Sequence, residues 1–287
     1  MAMQTSSKRD RPIETMLATI SFVFRKAPIL LWIGLPPALL SLAVTYAIYR
    51  VWVPGVLIDV HAASRLPPSL AWVEVIVNGI CATLFAVGVH RLVLRQELAP
   101  GIPVRLRRYE LAYAGTLSLF AAAELLFGLI IGGVVNAVPD GATPLGTLIL
   151  LPVAVVLAFF VIWVHVRLAL VFPHAALTGR IELPVSWRAM KGNVEKFIFG
   201  GLALLLLCAA VQIGVLIFFT RVETYWPNAP WTMIASQLAM IVVWGLVVAV
   251  ITAYVSYTYQ ALVPLADQSG GESQVPTPAQ VPENAPH

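Results

Sequence analysis

Charge is what this sequence has least of. Asp, Glu, Lys and Arg make up 11% of its 287 residues, against about a quarter in soluble domains, while 59% are hydrophobic. So few charges would leave a water-soluble globule with apolar patches far beyond the few hundred Å² that soluble monomers expose. A bilayer has to be the missing solvent. Cysteine is scarce too: Cys81 and Cys208, the two present, both fall inside apolar runs. Without a C-x-x-C or a nearby His/Cys cluster they support neither a disulfide framework nor a zinc site, and each reads as a small buried hydrophobe. Reaction signatures are also missing: there is no H-E-x-x-H, G-x-S-x-G or G-x-x-x-x-G-K, and no pair of intramembrane aspartates. The sequence therefore predicts no cofactor and no catalytic set. His90 and His174, beside basic residues near helix ends, are expected to form hydrogen bonds or touch head groups rather than bind metal.

What is present is six apolar segments of spanning length, at residues 28–49, 71–92, 112–137, 148–172, 197–219 and 232–257, since about 20 residues of helix cross a hydrocarbon core. The fold class expected is an all-α polytopic membrane protein. It divides into a leader at 1–27 with an amphipathic interfacial helix, a transmembrane domain at 28–262 and a disordered tail at 263–287, where Pro, Gln, Ser, Gly and Glu replace large apolar residues. Pro36, Pro37 and Pro152 lie within spans and are candidate kinks. The charged leader is long, its apolar run is of spanning length and no clear small-x-small site follows, so the first span reads as a retained helix. Spans one, three and five begin near residues 28, 112 and 197, a spacing that hints at three repeated hairpin units.

The basic residues are one-sided. Lys8, Arg9, Arg11, Arg25 and Lys26 precede the first span, Arg91, Arg95, Arg105, Arg107 and Arg108 surround the second loop, and Arg167, Arg180, Arg188, Lys191 and Lys196 surround the fourth. Only Arg50, Arg65 and Arg221 fall on the other side. By the positive-inside rule both termini are expected to be cytoplasmic. The net charge of +4 then points to anionic lipid rather than nucleic acid, because the cations flank hydrophobic spans.

Two stretches read as helices lying on the membrane. In 10–26, Ile13, Met16, Leu17, Ile20 and Phe24 share a helical face, Asp10 is placed to cap the start, and Arg25 and Lys26 complement the dipole at the end. In the fourth loop Leu183, Trp187, Met190 and Val194 fall on one face, with Arg188, Lys191 and Glu195 turned away, and Pro184 suits a first turn. Trp187 belongs at head-group depth. Arg105, Arg107, Arg108, Trp187, Arg188 and Lys191 are the candidate lipid-binding residues.

The run RLALVFPHAALTGRIELPVSWRAMKG, from Arg167 to Gly192, resembles the hallmark of a broad group of bacterial six-span proteins related to the membrane domain of glycerophosphodiester phosphodiesterases. Arg167, Pro173, Ser186, Trp187, Lys191 and Gly192 match its pattern. The resemblance covers about a tenth of the chain, and most of the group has no defined function. It implies a bacterial cytoplasmic membrane, but no activity: the family's phosphodiesterases carry their metal-binding residues on a soluble barrel for which this chain has no room.

Within the spans, Glu124 stands near the middle of the third, where a carboxylate needs a partner or water. His165 and Arg167 in the fourth span and Gln212 in the fifth are its candidate partners. Gly128 and Gly132, in small-x-x-x-small spacing, are expected to let helices pack closely, and Asn78 and Asn136 to bond across helices. Three functions remain open. The leading one is a non-catalytic module organising lipids or partner proteins; the others are a small transporter or channel using Glu124 and possibly His165, and a membrane-embedded lipid enzyme.

Overall fold

A backbone surrounded by hydrocarbon must satisfy its N–H and C=O groups internally, which leaves helices as the economical solution for spans this apolar. In the computed structural model, which describes residues 12–52, 68–96, 107–136, 144–226 and 230–263, the regular elements are all α-helices. In order these are α1 (Pro12–Arg25), α2 (Ala27–Trp52), α3 (Pro68–Leu94), α4 (Arg108–Asn136), α5 (Pro144–Leu168), α6 (Val171–Thr178), α7 (Leu183–Ala189), α8 (Val194–Tyr225) and α9 (Pro230–Leu262). Six are long and apolar enough to cross a bilayer, with α5 and α6 together supplying the fourth crossing. The protein is an all-α, multi-pass membrane protein. The tail from 264 onward, Asp10 and Arg105 lie outside the described residues.

Helices α3 and α9 are the most enclosed spans and pack on each other. Around them, α2 lies on α3, α8 on α9, and α4 on α3 and α6; α5 leans on α7 and α8 and approaches α4 only sparingly. Pro36 and Pro37 fall inside α2 and Pro152 inside α5, yet helix continues through all three. The interruption comes elsewhere, at Ala169 and Leu170, between α5 and α6.

Helix α1 packs against α8 and α9, and Phe22 and Val23 join a core with Ile33, Val89, Leu204, Ala253 and Tyr254. Phe22 meets the ring of Tyr257 edge-on at 6.0 Å. The apolar surface read from the sequence is thus only half right. At 100° per residue, Met16 and Ile20 turn with Thr19 and Val23 into the protein, whereas Ile13, Leu17 and Phe24 form an adjoining apolar strip that stays exposed. The polar sector carries Glu14, Ser21 and Arg25, the last two hydrogen-bonded to each other. Three sectors are what a helix needs if it is to touch protein, lipid and water at once.

The α7 face also departs from its reading. Helix ends at Ala189 and restarts at Val194, so residues 183–194 share no single face. Val185, Ser186 and Met190 turn inward, and Trp187 sits at the rim. Cys81 and Cys208 are buried and unpaired, as expected.

Polar bonds join the spans at defined points. Ser41 donates to Asn78 between α2 and α3, and Tyr254 donates to the Phe197 carbonyl between α9 and α8 at 2.9 Å. Gly200 makes the second contact possible, because a Cβ there would strike the Tyr254 hydroxyl. Phe22→Ala, which opens the joint between α1 and α9, should lower unfolding stability in detergent by about 1–3 kcal/mol, less than in a soluble core because lipid or detergent refills the site. Phe24→Ala, on the exposed strip, should leave the midpoint within about 0.5 kcal/mol of wild type; equal losses would show that α1 does not pack as described.

Candidate functional site

The break between α5 and α6 begins with a missing donor. Pro173 has no N–H to offer the Ala169 carbonyl, which is approached instead by the Phe172 N–H at 3.4 Å. The Ala169 N–H turns to Val166 at 3.2 Å, three residues back. Two groups that continuous helix would have paired, the Leu170 N–H and the Arg167 carbonyl, are left over. Ser186 takes both: its hydroxyl donates to the Arg167 carbonyl at 2.7 Å and accepts from the Leu170 N–H at 3.1 Å. One fully buried side chain on α7 thus stitches a span that its own backbone cannot close.

The stitch places Trp187 beside Arg167. The guanidinium carbon lies 4.7 Å from the ring centroids of both Trp163 and Trp187, and the two indoles meet edge to face at 5.3 Å. This is cation–π packing on two sides. No carboxylate among the described residues is within ion-pairing distance of Arg167, Arg188 or Lys191, and the Arg167 Nε is enclosed without a hydrogen-bond acceptor. A buried N–H on a cation is costly to leave unpaired. Both indoles remain 38% exposed, so the arginine sits at an aromatic rim rather than in a sealed core. Arg188 and Lys191 follow Trp187 on the exposed side. Gly192, at φ +80°, makes the left-handed turn that returns the chain to α8.

Beyond the break, α6 is buried along almost its whole length and brings His174 to the hydroxyl of Tyr259 on α9 at 2.9 Å, with Glu182 at 3.5 Å from the other ring nitrogen. His90 on α3 meets the Ser256 hydroxyl at 2.7 Å. Both histidines are hydrogen-bonded, as expected, and both are deep in the protein rather than at head groups. Among the described residues no three His, Cys, Asp or Glu side chains converge as a metal site would require.

Glu124 pairs with His165 of α5, Oε1 to Nε2 at 3.1 Å. His165 Nδ1 donates to the Val161 carbonyl at 2.8 Å, and Phe120 meets the imidazole edge-on at 4.9 Å. The other proposed partners do not join: Arg167 turns toward the indoles, and Gln212 makes no hydrogen bond to Glu124. The carboxylate is not buried either, since its side chain is 56% exposed. Glu124 lies within the third apolar span, Arg108–Ile130, and its partner within the fourth, Val155–Thr178. The glycine expectation is not met among the described residues: a Cβ on Gly128 or Gly132 would meet nothing within 4 Å, so no described helix packs there.

The predicted basic cluster separates into two. Arg108 stacks on Tyr109 at 4.9 Å, its side chain lies where a Cβ on Gly179 would fall, and the Arg107 N–H caps through Glu110 at 2.9 Å. These residues adjoin the far end of α6, about 12 Å of helix away from the break. Arg167, Pro173, Ser186 and Trp187 do come together, with Lys191 and Gly192 on the following turn. Trp163 was not singled out by the sequence, and its i−4 spacing to Arg167 was the signal available. The side chain of Asn136 lies outside the described residues. No family model, curated protein or solved structure matches this chain.

Ser186→Ala removes both bonds at the break while leaving the backbone groups enclosed, and should cost about 1–3 kcal/mol. Thermal unfolding in detergent measures this, and an unchanged midpoint would show the break to be closed by other means.

Proposed function

We propose that this protein is a non-catalytic membrane module that holds anionic lipid head groups at its basic, cytoplasmic end. One observation carries the reading: Arg167 is fixed between two partly exposed indoles, and no carboxylate among the described residues pairs with it. Phosphate oxygens are the acceptors a guanidinium fits best, and the Trp163 and Trp187 rings are suited to the same interfacial layer. Arg188 and Lys191 add long-range attraction worth about 1 kcal/mol each near an anionic surface. The buried polar groups support binding over catalysis, because Ser186, His90 and His174 are each engaged in joining helices.

The kinship with the membrane domain of glycerophosphodiester phosphodiesterases stays part of this proposal, together with a bacterial cytoplasmic membrane and cytoplasmic termini. It is supported by the structural work done at Arg167, Pro173, Ser186, Trp187 and Gly192, a set that would recur wherever a fourth span is broken and stitched in this way.

Phosphatidylglycerol added to the detergent-solubilised protein should raise its thermal midpoint by about 3 °C or more, as ligand linkage requires, whereas phosphatidylcholine should not. Arg167→Gln should abolish most of that gain, and Arg188→Gln with Lys191→Gln part of it. A neutral lipid acting as strongly, or an unaltered response in Arg167→Gln, would remove the basis for the proposal.

Transport is the second reading, favoured by the break in a span and by the Glu124–His165 contact beside it. It predicts proton or solute flux in reconstituted vesicles that Glu124→Gln reduces at least about tenfold. Vesicles that stay tight across a broad substrate panel would exclude it.

A further inference from the structure

The contact between Glu124 and His165 is complete only with a proton in it. His165 Nδ1 lies 2.8 Å from the Val161 carbonyl, which can only accept, so Nδ1 carries a hydrogen. Nε2 is enclosed and faces Oε1 of Glu124 at 3.1 Å. A bare nitrogen and a carboxylate at that distance are two acceptors with no hydrogen between them, and they repel. One proton makes the contact attractive whichever side holds it, as imidazolium with carboxylate or as imidazole with carboxylic acid. Either arrangement is neutral overall, which is what two apolar spans require of a polar pair. Other charged groups around the contact are turned elsewhere. Arg167 faces the indoles, about 200° around α5 from His165; His174 of α6 faces Tyr259 and Glu182, and Arg188 of α7 donates to the Pro184 carbonyl. Glu110, further along α4, accepts from the Arg107 N–H, and Glu195 and Lys196 of α8 form no ion pair with Glu124 or His165.

We propose that Glu124 and His165 form a proton-binding site that latches α5 to α4: with the proton bound the two helices are joined, and its release to water lets α5 swing away about the break at Ala169 and Leu170. The packing singles out α5 as the moving element. It approaches α4 only sparingly, and Glu124–His165 is the polar contact between them among the described residues. Helix α4 is seated on α3 and α6, whereas α5 leans on α7 and α8 and loses helical continuity just beyond His165. Because the closed state holds a proton that the open state has given up, raising the pH favours opening. The latch sits about 6 Å of helix from Ala169, and Val156 about 20 Å. A parting of about 1–2 Å at the contact therefore becomes about 3–6 Å at Val156. The latch needs neither lipid at Arg167 nor transport.

The test is the distance between spin labels on Ile130→Cys of α4 and Val156→Cys of α5, both exposed positions, in the full chain carrying Cys81→Ala and Cys208→Ala. The protein is held in nanodiscs of phosphatidylcholine alone and read by pulsed electron paramagnetic resonance from about pH 5 to about pH 10. With Glu124 and His165 in place, the distance should be short at the acid end and about 3–6 Å longer at the alkaline end. Glu124→Gln brings its own N–H to Nε2 and should hold the short distance throughout. His165→Phe should remove the pH response. Labels on Leu39→Cys of α2 and Ile80→Cys of α3 should not move. Arg167→Gln should leave the response intact, so failure of the anionic-lipid reading, or vesicles that stay tight, would leave the latch standing. The proposal fails if the α4–α5 distance is constant over the range, if Glu124→Gln or His165→Phe still responds, or if Arg167→Gln abolishes the response. It fails equally if the α2–α3 labels move in step, because the change would then be a general loosening of the bundle.

Discussion

The structure at the basic end depends on one requirement: the backbone groups freed where the fourth crossing breaks must find partners where water is scarce. Pro173 removes a donor, the chain turns at Ala169 and Leu170, and Ser186 bonds to the carbonyl and the amide left behind. A serine can reach those groups only if α7 folds back beside the end of α5. That requirement draws in Met190 and Val185 as core residues, carries Trp187 onto Arg167, and sets up the turn at Gly192, where φ of +80° excludes most side chains. The new direction of α6 brings Leu177 within reach of Arg95, whose guanidinium donates to the Leu177 carbonyl at 2.9 Å. The packing of Arg167 between two indoles is a by-product of closing a broken helix.

Much of the fold was legible because hydropathy over a spanning length needs no tertiary information. All six crossings follow from it, and two of the basic regions do meet at one end, where Arg95 donates to the Leu177 carbonyl and the Arg108 side chain lies against Gly179. The break was not legible. Ala169 and Leu170 are as apolar as the spans around them, and Pro36, Pro37 and Pro152 offered louder signals that the structure accommodates within continuous helix. Ser186 emerged only through a family pattern, which marks a position without stating what it bonds. The two faces of α1 were merged for a similar reason: periodicity shows that Ile13, Met16, Leu17, Ile20 and Phe24 are apolar, but cannot say which meet protein and which meet lipid. Gly128 and Gly132 failed because close packing needs an opposing surface, and small spacing on one helix does not create one.

Between helices in a bilayer the hydrophobic effect is nearly silent, since lipid tails are as apolar as leucine. Association here rests on polar contacts and close approach. His90 to Ser256 ties α3 to α9, His174 to Tyr259 ties α6 to α9, and Tyr254 to Phe197 ties α9 to α8. Each such bond is worth about 0.6 kcal/mol on average in a membrane, so the central assembly needs several at once. Rings continue the order outward: His90, Tyr113, Phe172, Phe120 and His165 follow one another at centroid distances of 5.6, 5.2, 4.9 and 4.9 Å. The position of the His165 imidazole is therefore set from the buried His90 by packing through α4 and α6.

This connection bears on how α5 treats charge. A cation and a carboxylate at similar depth could have neutralised each other, and sequence spacing alone made Arg167 a candidate partner for Glu124. The helix keeps them on different sides instead. Glu124 receives an imidazole held by the Val161 carbonyl and the Phe120 ring, while Arg167 receives two indoles, which attract a cation without cancelling its charge. An internal ion pair would have satisfied both residues and left the surface neutral. Their separation leaves Arg167 as a positive rim beside α7 and Glu124 paired with His165 beside α4, so one turn of α5 keeps its two polar contacts apart.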